Sequence, residues 1–321
     1  MQNILIVGGA GYVGSHCARH LAAHGLQPIV YDDLSQGHRD FVRWGPLVKG
    51  DIRHSESLEA AFKQHQPQAV IHLAALTLVG DHARPVADYR DINVSGTEKL
   101  LAAMKSAGCS RLVYSSSCAV YGQPQADQLD EDHPLKPIST YGETKLEAEK
   151  LLWRAAADWG LDWIALRYFN AAGAAADAAI GEDHDPETHL IPRALGTLLG
   201  ERTELKVFGE NYETKDGTAV RDFVHVEDLA KGHHAALTYL SDGGRSRAIN
   251  LGSGVGHSVL EVLQAIERVT GLKVPHSFAP PRPGDPARLV AGTDLAGDCL
   301  SWKAQCSLEQ IIEDAWRWHS R

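Results

Sequence analysis

The chain alternates short apolar runs with longer stretches of helical periodicity. Residues 3–7 (N-I-L-I-V) are continuously apolar, the pattern of a strand buried on both faces. Residues 28–31, 70–73 and 112–114 repeat that pattern. Between them, residues 16–24, 58–64, 93–107 and 141–159 read as helices. Strand and helix in alternation predict an α/β fold around a parallel, doubly wound sheet. The rhythm breaks after residue 170. Residues 171–185 are rich in Ala, Gly and Asp and read as loop, and Pro and Gly cluster again at 279–286. The expected organisation is a first lobe over 1–170 and a smaller mixed α/β lobe over 171–321, with 221–250 returning to the first. Leu308, Ile311, Ile312, Ala315 and Trp316 predict a final packed amphipathic helix.

Composition narrows the function classes. The formal net charge of −10 over 321 residues argues against a surface for nucleic acid or anionic membrane, which would need excess Lys and Arg. The 5 cysteines are odd in number and form no Cys-x-x-Cys, so neither a disulfide framework nor a zinc knuckle is expected. A glycine loop beginning at Gly8 leaves no room for a signal peptide, and no apolar run reaches the ~20 residues that span a bilayer. The expectation is a cytoplasmic protein.

Candidate chemistry starts at that loop. Gly8, Gly9, Gly11 and Gly14 follow a strand and open a helix. Glycine lets the backbone approach a pyrophosphate, and the helix N-terminus supplies N–H donors. Asp32, at the end of the second strand, is the acid expected about 20 residues on, placed to accept from a ribose 2′-OH. Asp33 rather than Arg follows it, which favours NAD over NADP. The first lobe therefore reads as a Rossmann unit binding NAD. Asp51 and Ile52 follow a further strand and reach an adenine edge or simply end the strand. Asn93 reads equally as a helix N-cap.

Tyr141 and Lys145 stand four residues apart, hence on one helix face. A lysine ammonium favours the phenolate, and a phenol with a lowered pKa becomes a usable base. Ser115, Ser116 and Ser117 read as lying just past the C-terminal end of a buried strand, where doubly wound sheets bind ligands. They are substrate hydroxyl partners or plain turn hydroxyls. Arg221 with Asp222, and Arg282 with Asp285, offer guanidinium forks for a diphosphate, or surface ion pairs. Asp183, His184, Asp185, Glu187 and His189 invite a metal reading, but their spacing matches no ligand set and no metal is expected. His233 and His234 read as helix surface, and Trp302, Trp316 and Trp318 as packing.

The series G-G-A-G-Y-V-G-S-H, G-D-I-R, H-L-A-A, N-V-S-G-T, S-S-S-C-A-V-Y-G, Y-G-E-T-K, L-R-Y-F-N, H-L-I-P, V-R-D-F-V-H-V-E-D-L-A and R-P-G-D-P-A resembles the extended short-chain dehydrogenase/reductase family nearly end to end, and within it the UDP-sugar 4-epimerases. The resemblance implies an isomerase that inverts C4 of UDP-glucose or UDP-galactose through a 4-keto intermediate with bound NAD. Tyr141 would be base and acid, Lys145 its partner and a nicotinamide-ribose ligand, and Ser117 the hydroxyl beside the sugar O4. Gly8, Gly11, Tyr12, Val13, Gly14, Asp32, Asp33, Asp51, Ile52, Leu73, Ala74, Ala75, Asn93, Ser115 and Phe169 would complete the cofactor site. Tyr168, Asn170, His189, Leu190, Phe208, Arg221, Arg282 and Asp285 would border the UDP-sugar, with Leu289 as a gate favouring unacetylated sugars. The family pattern also implies a homodimer through helices 93–107 and 141–159, where Leu100, Leu101, Met104, Leu151 and Leu152 would supply apolar surface. Two positions depart from it: Thr77 stands where some members carry lysine, and Ala119 near a threonine. Other activities in the frame are epimerisation of N-acetylated or pentose UDP-sugars, 4,6-dehydration, and non-catalytic nucleotide sensing. A dehydratase would carry an Asp-Glu pair where this chain has Cys118 and Ala119.

Overall fold

The structure, a computed structural model, describes residues 2–78, 84–282 and 284–321. Pro283 of the expected R-P-G-D motif lies outside them. The first half runs β1 (Asn3–Val7), α1 (Tyr12–Ala23), β2 (Gln27–Asp32), β3 (Leu47–Lys49), α2 (Ser55–His65), β4 (Ala69–His72), α3 (Val86–Tyr89), α4 (Gly96–Ala107), β5 (Arg111–Ser117), α5 (Thr140–Trp159) and β6 (Asp162–Tyr168). The second runs β7 (Asn170–Ala172), α6 (Leu190–Leu198), β8 (Leu205–Phe208), β9 (Val220–His225), α7 (Val226–Ser241), β10 (Arg247–Leu251), β11 (Gly256–Ser258), α8 (Val259–Thr270), β12 (His276–Ala279), β13 (Arg288–Leu289), α9 (Asp294–Leu300) and α10 (Leu308–His319).

One parallel sheet has the order β10-β6-β5-β4-β1-β2-β3. Its strands are apolar on both faces because helices cover both. Leu5, Val7 and Val70 pack on the α2, α4 and α5 side, while Ile4, Ile6 and Ile71 pack on the α1 and α7 side. The order reverses between β1 and β4, so a crevice opens beyond their C-terminal ends. A second cluster of β7, β9, β11 and β13, with the β8–β12 pair and helices α6, α8 and α10, stands over that crevice. β9 belongs to this smaller sheet, and the chain re-enters the large one through α7 and β10.

Several local expectations change. Ser115, Ser116 and Ser117 form the end of β5 and pair with β6, instead of lying beyond the strand. Asn93 caps no helix: it sits buried in a π-helical turn over Arg90–Ser95 that runs into α4. His233 is fully buried, because α7 is enclosed between the sheet and α1, and its Nδ1–H donates to the Leu229 carbonyl at 2.8 Å. Leu100, Leu101, Met104 and Leu152 are buried within the chain's own core, and Leu151 is half-buried. The exposed aromatic on α5 is Trp153.

Candidate active site

A cavity of about 620 Å³ runs from the glycine loop, past Tyr141, to the second lobe. Each glycine of the loop has its own reason. Gly8 has φ +85°, and a Cβ on it would stand 2.5 Å from the Ala74 nitrogen. A Cβ on Gly14 would meet the Gly8 carbonyl oxygen at 2.2 Å, so α1 can press on the loop only with glycine there. Gly11 differs: a Cβ there would meet nothing closer than the Gly8 oxygen at 3.5 Å. Gly11 lines the cavity at the α1 N-terminus, so its small size keeps open the place where a pyrophosphate would rest. Asp32 sits at the end of β2 and accepts from the Ala10 and Leu34 amides at 3.0 and 2.9 Å. Burial pushes its carboxyl upward and those two amides pull it back down. These residues fit a dinucleotide whose ribose hydroxyls meet a carboxylate.

Asp33, Asp51, Ile52, Leu73, Ala74 and Ala75 line the same arm. The Asp51 carboxylate is held by Arg53 at 2.6 Å, which lowers its pKa. Val13 borders the cavity, and Tyr12 does too, although its hydroxyl donates to the Gly173 carbonyl at 2.6 Å.

The reacting end is built by β5 and α5. Strand alternation turns Ser115 and Ser117 to the cavity and Ser116 to the opposite face, where it donates to Glu149 at 2.5 Å. Ser115 and Tyr168 share a hydrogen bond between their hydroxyls. Ser139 caps α5 by accepting the Gly142 amide at 3.2 Å, which sets Tyr141 in the first turn and Lys145 one turn deeper. Lys145 Nζ donates to the Ser115 carbonyl at 2.7 Å and lies 5.7 Å from the Tyr141 ring centre. Burial lowers the Lys145 pKa to about 7, opposed by Glu149. Burial pushes the Tyr141 phenol up, and a hydrogen bond from Ser117 works against it. Desolvation is thus the dominant influence on the phenol.

The second lobe supplies cations and a roof. Arg221 is paired with Asp285 at 2.5 Å, and the Arg282 guanidinium stacks 4.1 Å from the Phe208 ring centre. Phe169, Asn170, His189 and Leu190 also line the cavity. Leu289 does not; it packs with Val120, Tyr121, Leu129 and Phe169 beneath the floor. Asn93 is likewise absent from the wall. Its side chain holds both backbone groups of Leu76, at 2.8 and 3.1 Å, and so fixes the segment after β4 from behind. The sequence reading missed Gln36, Gly37, Arg84 and Arg193, which line the cavity from separate loops and helices. A Cβ on Gly37 would strike Ala10 Cβ at 2.8 Å and Asp32 Oδ1 at 2.9 Å. Thr77 and Ala119 both border the cavity.

Glu182 and His184 were also missed as a wall. Glu182 is buried and bonds His189 Nδ1, while His184 Nδ1 lies 3.4 Å from it and 3.6 Å from Glu187. Burial would raise Glu182, but the two imidazoles outweigh it and hold the carboxyl below its usual range. Burial would lower His184, yet Glu182 and Glu187 raise it from 6.5 to about 10. The contribution of a histidine so raised is full below pH 6.5 and fades as pH climbs toward 10. A lowered carboxyl contributes above its unfolded value and loses this as pH falls. Glu182→Gln should therefore depress the thermal midpoint most between about pH 5 and 6.5, and progressively less toward pH 10. A midpoint difference from parent that stays constant from pH 5 to 10 would show that the charges do not matter.

A glycine-looped parallel sheet with a Tyr–Lys pair at its carboxyl edge, the lysine buried, defines a nucleotide-dependent oxidoreductive fold. The chain belongs to the NAD dependent epimerase/dehydratase family, whose model matches residues 4–252. It is 49% identical over 320 residues to UDP-glucose 4-epimerase of Rhizobium meliloti (strain 1021), covering 100% of this chain and 98% of that relative. The crystal structure of UDP-glucose 4-epimerase from Brucella ovis in complex with NAD superimposes with a TM-score of 0.96 at 45% identity, covering 99% of this chain and 98% of that one. The enzyme from Stenotrophomonas maltophila with bound NAD and formylated UDP-arabinopyranose matches with a TM-score of 0.96 at 40% identity, over 100% and 98% of the chains.

Proposed function

We propose that this chain is an NAD-dependent isomerase that inverts C4 of a UDP-hexose, interconverting UDP-glucose and UDP-galactose. The observation that carries it is one cavity joining the glycine loop, the Tyr141–Lys145–Ser117 group and two second-lobe arginines. Gly8, Gly11, Tyr12, Val13, Gly14, Asp32 and Lys145 would hold NAD, which when bound accepts hydride from C4 and returns it. Tyr141 removes the 4-hydroxyl proton and later gives it back. Ser117 hydrogen-bonds the same oxygen and holds it within reach of Tyr141. Lys145 holds the ribose and stabilises the phenolate. Arg221 and Arg282 grip the diphosphate, so the sugar is tethered at one end and free to turn its other face to Tyr141. Buried walls exclude water while the sugar is oxidised.

The test is to denature the purified protein, identify the released nucleotide, and assay UDP-galactose without added cofactor. NAD at close to one per chain, with formation of UDP-glucose, is expected. NADP in its place, or no conversion, would overturn the reading. No carboxylate follows Ser117, where Cys118 and Ala119 stand, so 4,6-dehydration lacks its acid–base pair.

Tyr168 and Phe169 line the cavity along with Tyr141, and an acetamido group needs a void that packed interiors rarely offer. UDP-galactose should therefore exceed UDP-N-acetylgalactosamine in kcat/KM by roughly 10-fold or more, since small pocket differences are worth about 1–3 kcal/mol. Leu289→Cys, which loosens the packing beneath Phe169, should narrow that ratio. Equal efficiencies in the parent would remove the size argument, and an unchanged ratio in Leu289→Cys would remove that residue from it.

A further inference from the structure

Three imidazoles meet on the outer face of the first lobe, outside the cavity. His20 lies in the last turn of α1, His24 is the residue that ends that helix, and His234 faces them from α7. Their ring centres are 4.1, 5.2 and 5.1 Å apart. One ring nitrogen from each lies within 4.8 Å of the others. We propose that His20, His24 and His234 form a binding site for a late first-row divalent cation, zinc in the first instance, bridging α1 and α7.

Four observations carry this. His24 ends α1 four residues after His20, and its ring lies against the His20 ring with centres 4.1 Å apart. His20 Nε2 and His234 Nδ1 are 3.2 Å apart. Two Zn–N bonds of about 2.05 Å at a tetrahedral angle put their nitrogens about 3.3 Å apart, so this pair already spans one edge of the polyhedron. His24 Nδ1–H donates to the His20 carbonyl at 2.7 Å, which fixes the tautomer and leaves Nε2 as a free lone pair. That is the arrangement by which metal-binding histidines are oriented. None of the three forms an ion pair among the described residues, and Lys231, one turn before His234, has its ammonium on Asp228 at 2.8 Å.

Three imidazoles and an outward-facing fourth position suit a borderline cation, with a water completing the tetrahedron. In the free protein one of His20 and His234 donates to the other. On binding, that donor ring moves its N–H proton to its other nitrogen, so no net proton is released. The cation would pin the helix that begins at the glycine loop to the helix that carries the chain back into the large sheet. Its ligands touch neither the cofactor nor the substrate region, so turnover without metal should be unchanged.

The experiment is titration of chelator-treated, NAD-loaded protein with zinc chloride against a chromophoric chelator. Parent, His24→Ala, His234→Ala and Glu182→Gln are compared. One zinc per chain at micromolar or tighter affinity is expected, weakened at least 10-fold in both histidine variants and unchanged in Glu182→Gln. Zinc should raise the thermal midpoint of the parent and not of His24→Ala. Cobalt should give the intense visible bands of a four-coordinate site in the parent, which keeps the test decisive if a variant folds poorly. Uptake that survives both histidine substitutions, or that is lost in Glu182→Gln instead, would overturn the proposal. So would the absence of any stoichiometric uptake by the parent.

Discussion

Tyr141→Phe is expected to lower kcat by 10²- to 10⁴-fold while leaving bound NAD and the fold intact. The substitution removes one oxygen and keeps the ring that lines the cavity. That oxygen is the atom needed to move the proton. Burial pushes the phenol up and lowers Lys145 to about 7. Positive charge brought by an oxidised nicotinamide would tip the phenol toward the phenolate. Base strength at Tyr141 is therefore expected to depend on the bound cofactor as well as on Lys145. Measured kcat, KM and released NAD on a folded variant decide it. A kcat within a few-fold of parent would remove Tyr141 from the proton step. A loss of NAD along with activity would mean the ring, not the hydroxyl, had been the important part.

The sequence made the first lobe legible because its signals are local. Residues 3–7 can be read as a strand from composition alone, and the loop from Gly8 to Gly14 is confined to a single turn. Asp32 is found by counting from that loop. Burial was harder, since it depends on what packs from elsewhere. His233 reads as surface until α1 is placed over α7. Asn93 reads as a cap until the segment around Leu76 is seen resting on it. The serines were read together, but a pleated strand separates them, sending Ser116 to one face and its neighbours to the other. The second lobe was least legible. Its strands are short, and its cavity residues arrive from separate loops. Glu182 gained meaning only once His184 and His189 stood beside it. Leu289 shows the opposite failure: an expected pocket residue whose side chain is taken up by the packing under Phe169.

Glu149→Gln is expected to be the most destabilising single substitution near the site, and to slow the reaction by a second route. Glu149 is buried behind β5 and takes the Arg167 guanidinium at 2.9 and 2.7 Å and the Ser116 hydroxyl at 2.5 Å. Arg167 also donates to the Tyr121 hydroxyl at 3.2 Å, and Tyr121 donates to Asn250 at 2.6 Å, so the network crosses β5, β6 and β10. An amide in place of the carboxylate leaves the guanidinium buried without its counter-charge, which costs about 3–5 kcal/mol. For a chain of this length that is a fall of roughly 4–7 °C in the thermal midpoint. Glu149 also raises the Lys145 pKa against burial, so its removal lowers that pKa further. More of Lys145 is then neutral at pH 7, and the Tyr141 phenolate loses support. The expected kinetic signature is a lower kcat at nearly constant KM. Glu149→Leu combined with Arg167→Met removes both charges and should restore most of the stability, because a matched apolar pair replaces an unpaired ion. It should not restore kcat, because the carboxylate near Lys145 is still missing. If the double variant recovers both, Glu149 acts only through packing. If the single variant melts within a degree of the parent, the pair carries little of the stability of this sheet.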